Sequence, residues 1–218
     1  HYVIDKLDNG EAEVRAVYNT PDGQYWTGYD NGIIQITNQY HQKIGYLSPS
    51  GQIVPQQTAF APSGIYSLFV DRAGRTWIGT KQNGLFIRGA EGGVVNYAHN
   101  PSIPTSLPDN RVEDIVCDRH GRVWISTYGG GLAYVKEGAT GMTFVNKNCG
   151  LPWPKDDFNK LRHIVCSPTG EILVGTTDGL ITFSDTFTQP SRIKFYKTTY
   201  IPNDTTSLEA NDVNYILQ

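Results

Sequence analysis

"DRAGRTWIGT", Asp71 to Thr80, holds a turn signal, a tryptophan and a strand-like run in ten residues. An aspartate side chain accepts hydrogen bonds from backbone amides inside a turn, and a glycine three positions later supplies the positive φ that closes a hairpin without strain. The run from Arg75 to Thr80 then carries the aromatic and β-branched residues that suit a pleated, half-buried surface. Such a stretch is either a piece of an active site or a structural stamp, and repetition decides between the two.

The stretch recurs. "IYSLFVDRAGRTWIGTKQNGLFI" (Ile65 to Ile87) aligns with "VEDIVCDRHGRVWISTYGGGLAYV" (Val112 to Val135), "VRAVYNTPDGQYWTGYDNGIIQI" (Val14 to Ile36) and "LRHIVCSPTGEILVGTTDGLITF" (Leu161 to Phe183). The turn glycines Gly23, Gly74, Gly121 and Gly170 lie 51, 47 and 49 residues apart. A fifth copy begins at "NDVNYIL" (Asn211 to Leu217), which matches "NRVEDIV" (Asn110 to Val116); both follow Thr-Ser-Leu.

Each copy reads as four antiparallel strands. An apolar run forms the first, the Asp-x-x-Gly turn leads to the second, and a glycine turn (Asn83-Gly84, Gly129-Gly130-Gly131 or Asp178-Gly179) leads to the third. A weaker fourth follows, such as "GVVNYA" or "RIKFYK". Four strands in roughly 50 residues is the size of a β-propeller blade. The expected fold is all-β: four blades at 13–60, 64–108, 111–158 and 160–208, the first strand of another at 211–218, and an outer strand at "YVIDKL" (Tyr2 to Leu7). Blades pack face to face on neighbours, so the chain reads as a segment of a larger array.

Composition narrows the function. The 218 residues are 39% hydrophobic and can build a core. Their formal charge of −3 offers no footprint for a phosphate backbone, so nucleic acid is not an expected partner. No run of about 18 apolar residues exists and the first residues carry no signal-peptide pattern. Cys117, Cys149 and Cys166 match no close metal spacing and read as buried thiols; the dispersed histidines His1, His41, His99, His120 and His163 likewise predict no metal site. The "NDT" at Asn203 is a short, common match to a glycosylation acceptor and carries little weight.

The residues Ile65, Leu68, Asp71, Gly74, Trp77, Gly79, Thr80 and Gly84, their counterparts Val112, Ile115, Asp118, Gly121, Trp124 and Thr127, and the connectors "PTSLPDNRV" (Pro104 to Val112) and "TTSLEANDV" (Thr205 to Val213) resemble the two-component regulator propeller repeat. Two copies depart from it: Thr20 and Ser167 replace Asp, and Leu173 replaces Trp. In that family such repeats form the periplasmic sensor region of hybrid two-component histidine kinases. The resemblance implies a periplasmic segment that binds carbohydrate breakdown products and signals to a kinase controlling polysaccharide-utilisation genes. It implies no catalysis by this chain and no cofactor. Expected partners are an oligosaccharide or other small ligand, the rest of the array and a second copy; the membrane is met only through regions absent from this sequence.

Trp26, Trp77 and Trp124 occupy one position in three copies, which predicts packing between blades rather than sugar platforms. Asp71 and Asp118 read as turn residues. If the first strand crosses from one face to the other, the Asp-x-x-Gly turns lie on the far face, while connectors and second-to-third-strand turns share the near face. The unrepeated residues there are the ligand-binding candidates: Trp153, Asp156 and Asp157 in "CGLPWPKDDFNK" (Cys149 to Lys160), with Tyr29, Asp30, Tyr128, Arg111 and Arg162, and Asn110 beside them. Trp153 lies between two prolines that stiffen it, so it serves either as an exposed platform or as a loop anchor, the anchor being favoured. Arginines suit acidic sugars or sulfate through forked hydrogen bonds.

Two other functions compete. A propeller glycosidase or lyase would need two carboxyl groups about 5 to 9.5 Å apart, and Asp156 and Asp157, as neighbours on an extended segment, point to opposite sides. The sialidase Asp-box has one residue between Asp and Gly, whereas two separate Asp71 from Gly74. A protein-interaction scaffold is the other alternative.

Overall fold

The computed structural model describes residues 12–139, 141–154 and 158–217. They form four antiparallel sheets, each with its strands in chain order. The first holds β1 (Val14–Asn19), β2 (Tyr25–Tyr29), β3 (Ile34–Thr37), β4 (Lys43–Leu47) and the short β5 (Ile53–Val54). The second holds β6 (Ile65–Val70), β7 (Thr76–Thr80), β8 (Leu85–Gly89) and β9 (Gly92–Tyr97). The third holds β10 (Val112–Cys117), β11 (Val123–Thr127), β12 (Gly131–Gly138) and β13 (Gly141–Val145). The fourth holds β14 (Leu161–Cys166), β15 (Glu171–Thr176), β16 (Gly179–Ser184) and β17 (Tyr196–Thr198). A single turn of 3-10 helix, Pro190–Arg192, interrupts the last.

The opening turn of each sheet is built as its residues dictate. Asp71 Oδ1 accepts the amides of Ala73 (2.9 Å) and Arg75 (3.0 Å), and Gly74 takes φ +76. Asp118 repeats this with His120 and Arg122, and Gly121 takes φ +81. Each aspartate also receives the indole N–H of its own tryptophan, Trp77 or Trp124, at 2.9 Å, and the Nε of Arg75 or Arg122 at 2.6 Å. Where Asp is missing, the lock changes with it. Gln24 accepts the Trp26 indole at 3.2 Å, and Ser167 beside Leu173 accepts the backbone amide of Glu171 and pairs with the Thr169 hydroxyl (2.8 Å).

The tryptophans lie between sheets. Trp26 shares a buried cluster with Ile65, Leu68 and Ile78 of the second sheet; Trp77 with Val112, Ile115 and Ile125 of the third; Trp124 with Leu161, Ile164 and Phe183 of the fourth. Three apolar cores thus join four blades, and truncating such a buried indole typically costs about 3–5 kcal/mol. Inner strands β1, β6, β10 and β14 run side by side. Polar ties reinforce the joints: Arg119 forks onto Asp185 (2.8 and 2.7 Å), Arg75 reaches Glu137 (2.7 Å), and Arg88 Nε donates to the Gly51 carbonyl (2.6 Å). The buried Asn146 amide donates to the carbonyls of Pro104 (3.0 Å) and Ser106 (3.1 Å) in the connector before the third sheet.

Two features differ from the sequence expectation. The first sheet has a fifth strand, because the Ser48–Gln52 turn returns the chain onto β4. Residues 211–217 form no strand; Val213 donates to the Thr176 carbonyl (2.9 Å) and Ile216 to the His163 ring, in place of a hairpin ladder. The outer strand expected at "YVIDKL" lies outside the described residues. The array is not closed into a ring: Val14 and Val17 are exposed on β1, and β17 is exposed throughout.

Candidate functional site

In every sheet the pairing of the inner strand slips at the same point. The slips fall between Val14 and Ala16, Ile65 and Ser67, Val112 and Asp114, and Leu161 and His163. The residues that absorb them are Arg15, Tyr66, Glu113 and Arg162, and Asn214 stands at the same place in the fifth copy. A bulge of this kind leaves one residue outside the ladder and re-aims its side chain. These residues, with Arg111, line a cavity of about 520 Å³ that also reaches His163 and Tyr215.

The charges there are held in place. The Arg111 guanidinium lies 3.9 Å from the Tyr128 ring centre and 5.5 Å from that of Tyr66, and its Nε donates to Glu113 Oε1 at 2.5 Å. Arg162 lies 5.0 Å from the Tyr128 ring centre and forks onto Asp212 (3.2 Å to each oxygen). Arg15 sits 5.9 Å from Tyr66 and pairs with Glu13. Tyrosine faces thus space three guanidiniums around one cavity.

The acids beneath them are pushed toward their neutral forms. Burial raises Glu113 against the pull of Arg111, and burial pushes Asp114 up to about 6 although it accepts the amides of Ile164 (3.1 Å) and Ile115 (2.8 Å). His163 is lowered by burial. Its Nδ1 accepts the Ile216 amide, so Nε2 carries the proton that faces Asp114 Oδ2 at 3.5 Å, and the ring lies on Tyr215.

Among the residues singled out from sequence, the structure brings Arg111, Arg162 and Tyr128 together. Asn110 is a connector pin that accepts the His99 amide at 2.7 Å. Trp153, a ligand-binding candidate with the anchor reading favoured, is a loop anchor and not an exposed platform: it is 7% exposed, donates Nε1–H to the Phe158 carbonyl (3.2 Å), and meets Phe195 edge-on. It packs against Gly131. Tyr29 is corrected too; it is fully buried and its hydroxyl donates to Gln35 Oε1 (3.1 Å). Asp30 is exposed and accepts the Glu13 amide at the near-face rim, away from the cavity lining. Asp156 and Asp157 lie outside the described residues. Arg15, Tyr66 and Glu113 were missed, although one signal pointed to them: in the aligned copies the second residue of the inner strand, after an apolar first, reads Arg, Tyr, Glu, Arg, Asn.

No group of three or more metal-ligating side chains gathers among the described residues. Cys117, Cys149 and Cys166 are free, half-buried thiols, and burial pushes Cys166 up to about 12. No helix among the described residues is long and apolar enough to cross a membrane.

Four-stranded blades joined through their faces, with variable side chains gathered on the inner strands, define a β-propeller segment. The family model of the two component regulator propeller matches residues 59–82 and 106–129. Among solved structures it is similar to the extracellular domain of a hybrid two component system from B. thetaiotaomicron, with TM-score 0.64 and 18% identity over 93% of this chain and 24% of that one. A second such domain from B. thetaiotaomicron gives TM-score 0.54 and 20% identity over 94% of this chain and 37% of that one. Virginiamycin B lyase from Staphylococcus aureus gives 0.61 and 16% over 92% and 60%. The chain therefore spans about a quarter of the first of these proteins and 60% of the lyase. No curated protein matches.

Proposed function

We propose that this chain is a ligand-sensing segment from the extracytoplasmic, periplasmic part of a hybrid two-component system, and that its inner-strand cavity recognises an oligosaccharide whose binding is relayed to a histidine kinase governing polysaccharide-utilisation genes. One observation carries the reading: a repeated bulge delivers side chains that vary among the copies to one cavity, while the repeated Asp71 and Asp118 and their tryptophans are spent on turns and joints. Aromatic faces and forked donors in a concave site suit a ring bearing hydroxyls and charged substituents. The repeat family and the likeness to two sensor domains support the class.

Calorimetry of the purified protein against a panel of oligosaccharides tests it. Binding that Tyr66→Ala weakens at least tenfold, with an unchanged melting temperature, is expected. Saccharide binding indifferent to Tyr66 would move the site elsewhere, and a panel with no binder would defeat the reading.

The likeness to a lyase and the Asp114–His163 pair favour one second reading, an enzyme. Both imidazole nitrogens already face protein partners, Ile216 and Asp114, which suits a strut better than a proton carrier. Turnover of a bound saccharide, lost in His163→Gln, would restore it.

A further inference from the structure

Arginines outnumber carboxyl groups in the lining of the cavity, on an acidic chain. Three guanidiniums, Arg15, Arg111 and Arg162, meet two carboxyl groups, Glu113 and Asp114, among its lining residues, while the whole sequence carries a formal −3. Glu113 lies in the field of all three arginines, so one partly buried carboxylate is their shared internal counter-charge. The remaining partners stand at the rim. Glu13 is exposed and Asp212 half exposed, so both pairs are screened and exchange with water. Arg111 differs from the other two. Its plane is fixed by Tyr128 and Tyr66, it spends only Nε on Glu113, and among the described residues no hydrogen-bond acceptor takes its terminal amino groups.

A planar guanidinium held this way is a ready fork for a two-oxygen anion. We propose that the cavity selects an anionic saccharide, one whose carboxylate or sulfate is received by the terminal amino groups of Arg111 with Arg15 and Arg162 closing on either side, while the sugar ring lies along Tyr66. This rests on the cavity being the ligand site. Glu113 acts within it as a resident competitor that keeps the guanidiniums oriented when no ligand is bound.

Paired probes separate this specificity from the broader function. The protein is titrated with a galacturonic acid trimer and the matching galactose trimer, and with galactose 6-sulfate and galactose. The acidic member of at least one pair is expected to bind tenfold or more tightly, with affinity falling as salt rises from 50 to 500 mM, because the contact is ionic. Arg111→Ala is expected to erase that preference. Glu113→Gln, which removes the competing charge, is expected to strengthen acidic binding several-fold. Opposite shifts from two cavity variants cannot both come from misfolding. Neutral sugars bound as tightly as acidic ones, with Tyr66→Ala still weakening both, would overturn the anionic specificity and leave the cavity as the site. Acidic binding that neither Arg111→Ala nor Tyr66→Ala alters would overturn both, as would no binding by any probe.

Discussion

Asp114 shows how one buried side chain ties the site to pH. Burial holds its carboxyl at about 6, against an ordinary value of 3.8; Glu113 beside it adds to the rise, and the two backbone amides oppose it. His163, which faces it across 3.5 Å, is lowered. The two groups act with opposite sign. For Asp114 the folded state keeps a proton that the unfolded chain releases, so its stabilising contribution is complete below about pH 4 and is lost as pH rises through about 6. For His163 the contribution is present above its ordinary range and lost as pH falls through its lowered value. Asp114→Asn isolates the first effect, with Glu113 and His163 present in both proteins. Urea unfolding at pH 4 and pH 7 is expected to show wild type losing ground to the variant by up to about 3 kcal/mol as pH rises, from the shift of roughly two pKa units. A difference constant across that range would contradict the assignment.

Strands meet across blades where side chains vanish. Gly79 on β7 leaves room for β10: a Cβ there would lie 2.6 Å from Val112 Cγ1 and 2.2 Å from Ser67 Oγ. Gly28 faces Ile65 in the same way, and Gly175 faces Val213, so residues 211–217 occupy the slot that β6 and β10 fill beside their neighbours. Gly79→Val is expected to destabilise by about 3 kcal/mol through overpacking, read as a lower urea midpoint. An unchanged midpoint would mean the joint has slack. The strands and turns were legible in the sequence because each copy states them again: Asp71 and Asp118 predict their turns, and Trp77 and Trp124 their burial. The bulges were not. They arise from the register between two strands, and the residues that absorb them, Arg15, Tyr66, Glu113 and Arg162, share no chemistry that marks a slip. Trp153 left two readings open for a related reason, since two prolines stiffen a loop without saying which way its indole turns.

At the scale of the molecule, stability is a chain of nearest-neighbour joints, and the joints are unequal. β7 and β11 are buried at every residue, whereas β17 is exposed throughout and residues 211–217 lack a ladder. Native-state hydrogen exchange is expected to be slowest in β7 and β11 and fastest in β17 and the segment after it, with β1 between them. Uniform protection would instead mean that the four sheets open as one unit. The repeated bulge has a last consequence. Because pairing resumes its register immediately after Arg15, Tyr66, Glu113 and Arg162, no interblade core is set by which side chain stands there. Each blade therefore offers one interchangeable letter to the central wall, and a new ligand can be spelled by rewriting those letters while the frame that displays them stays as it is.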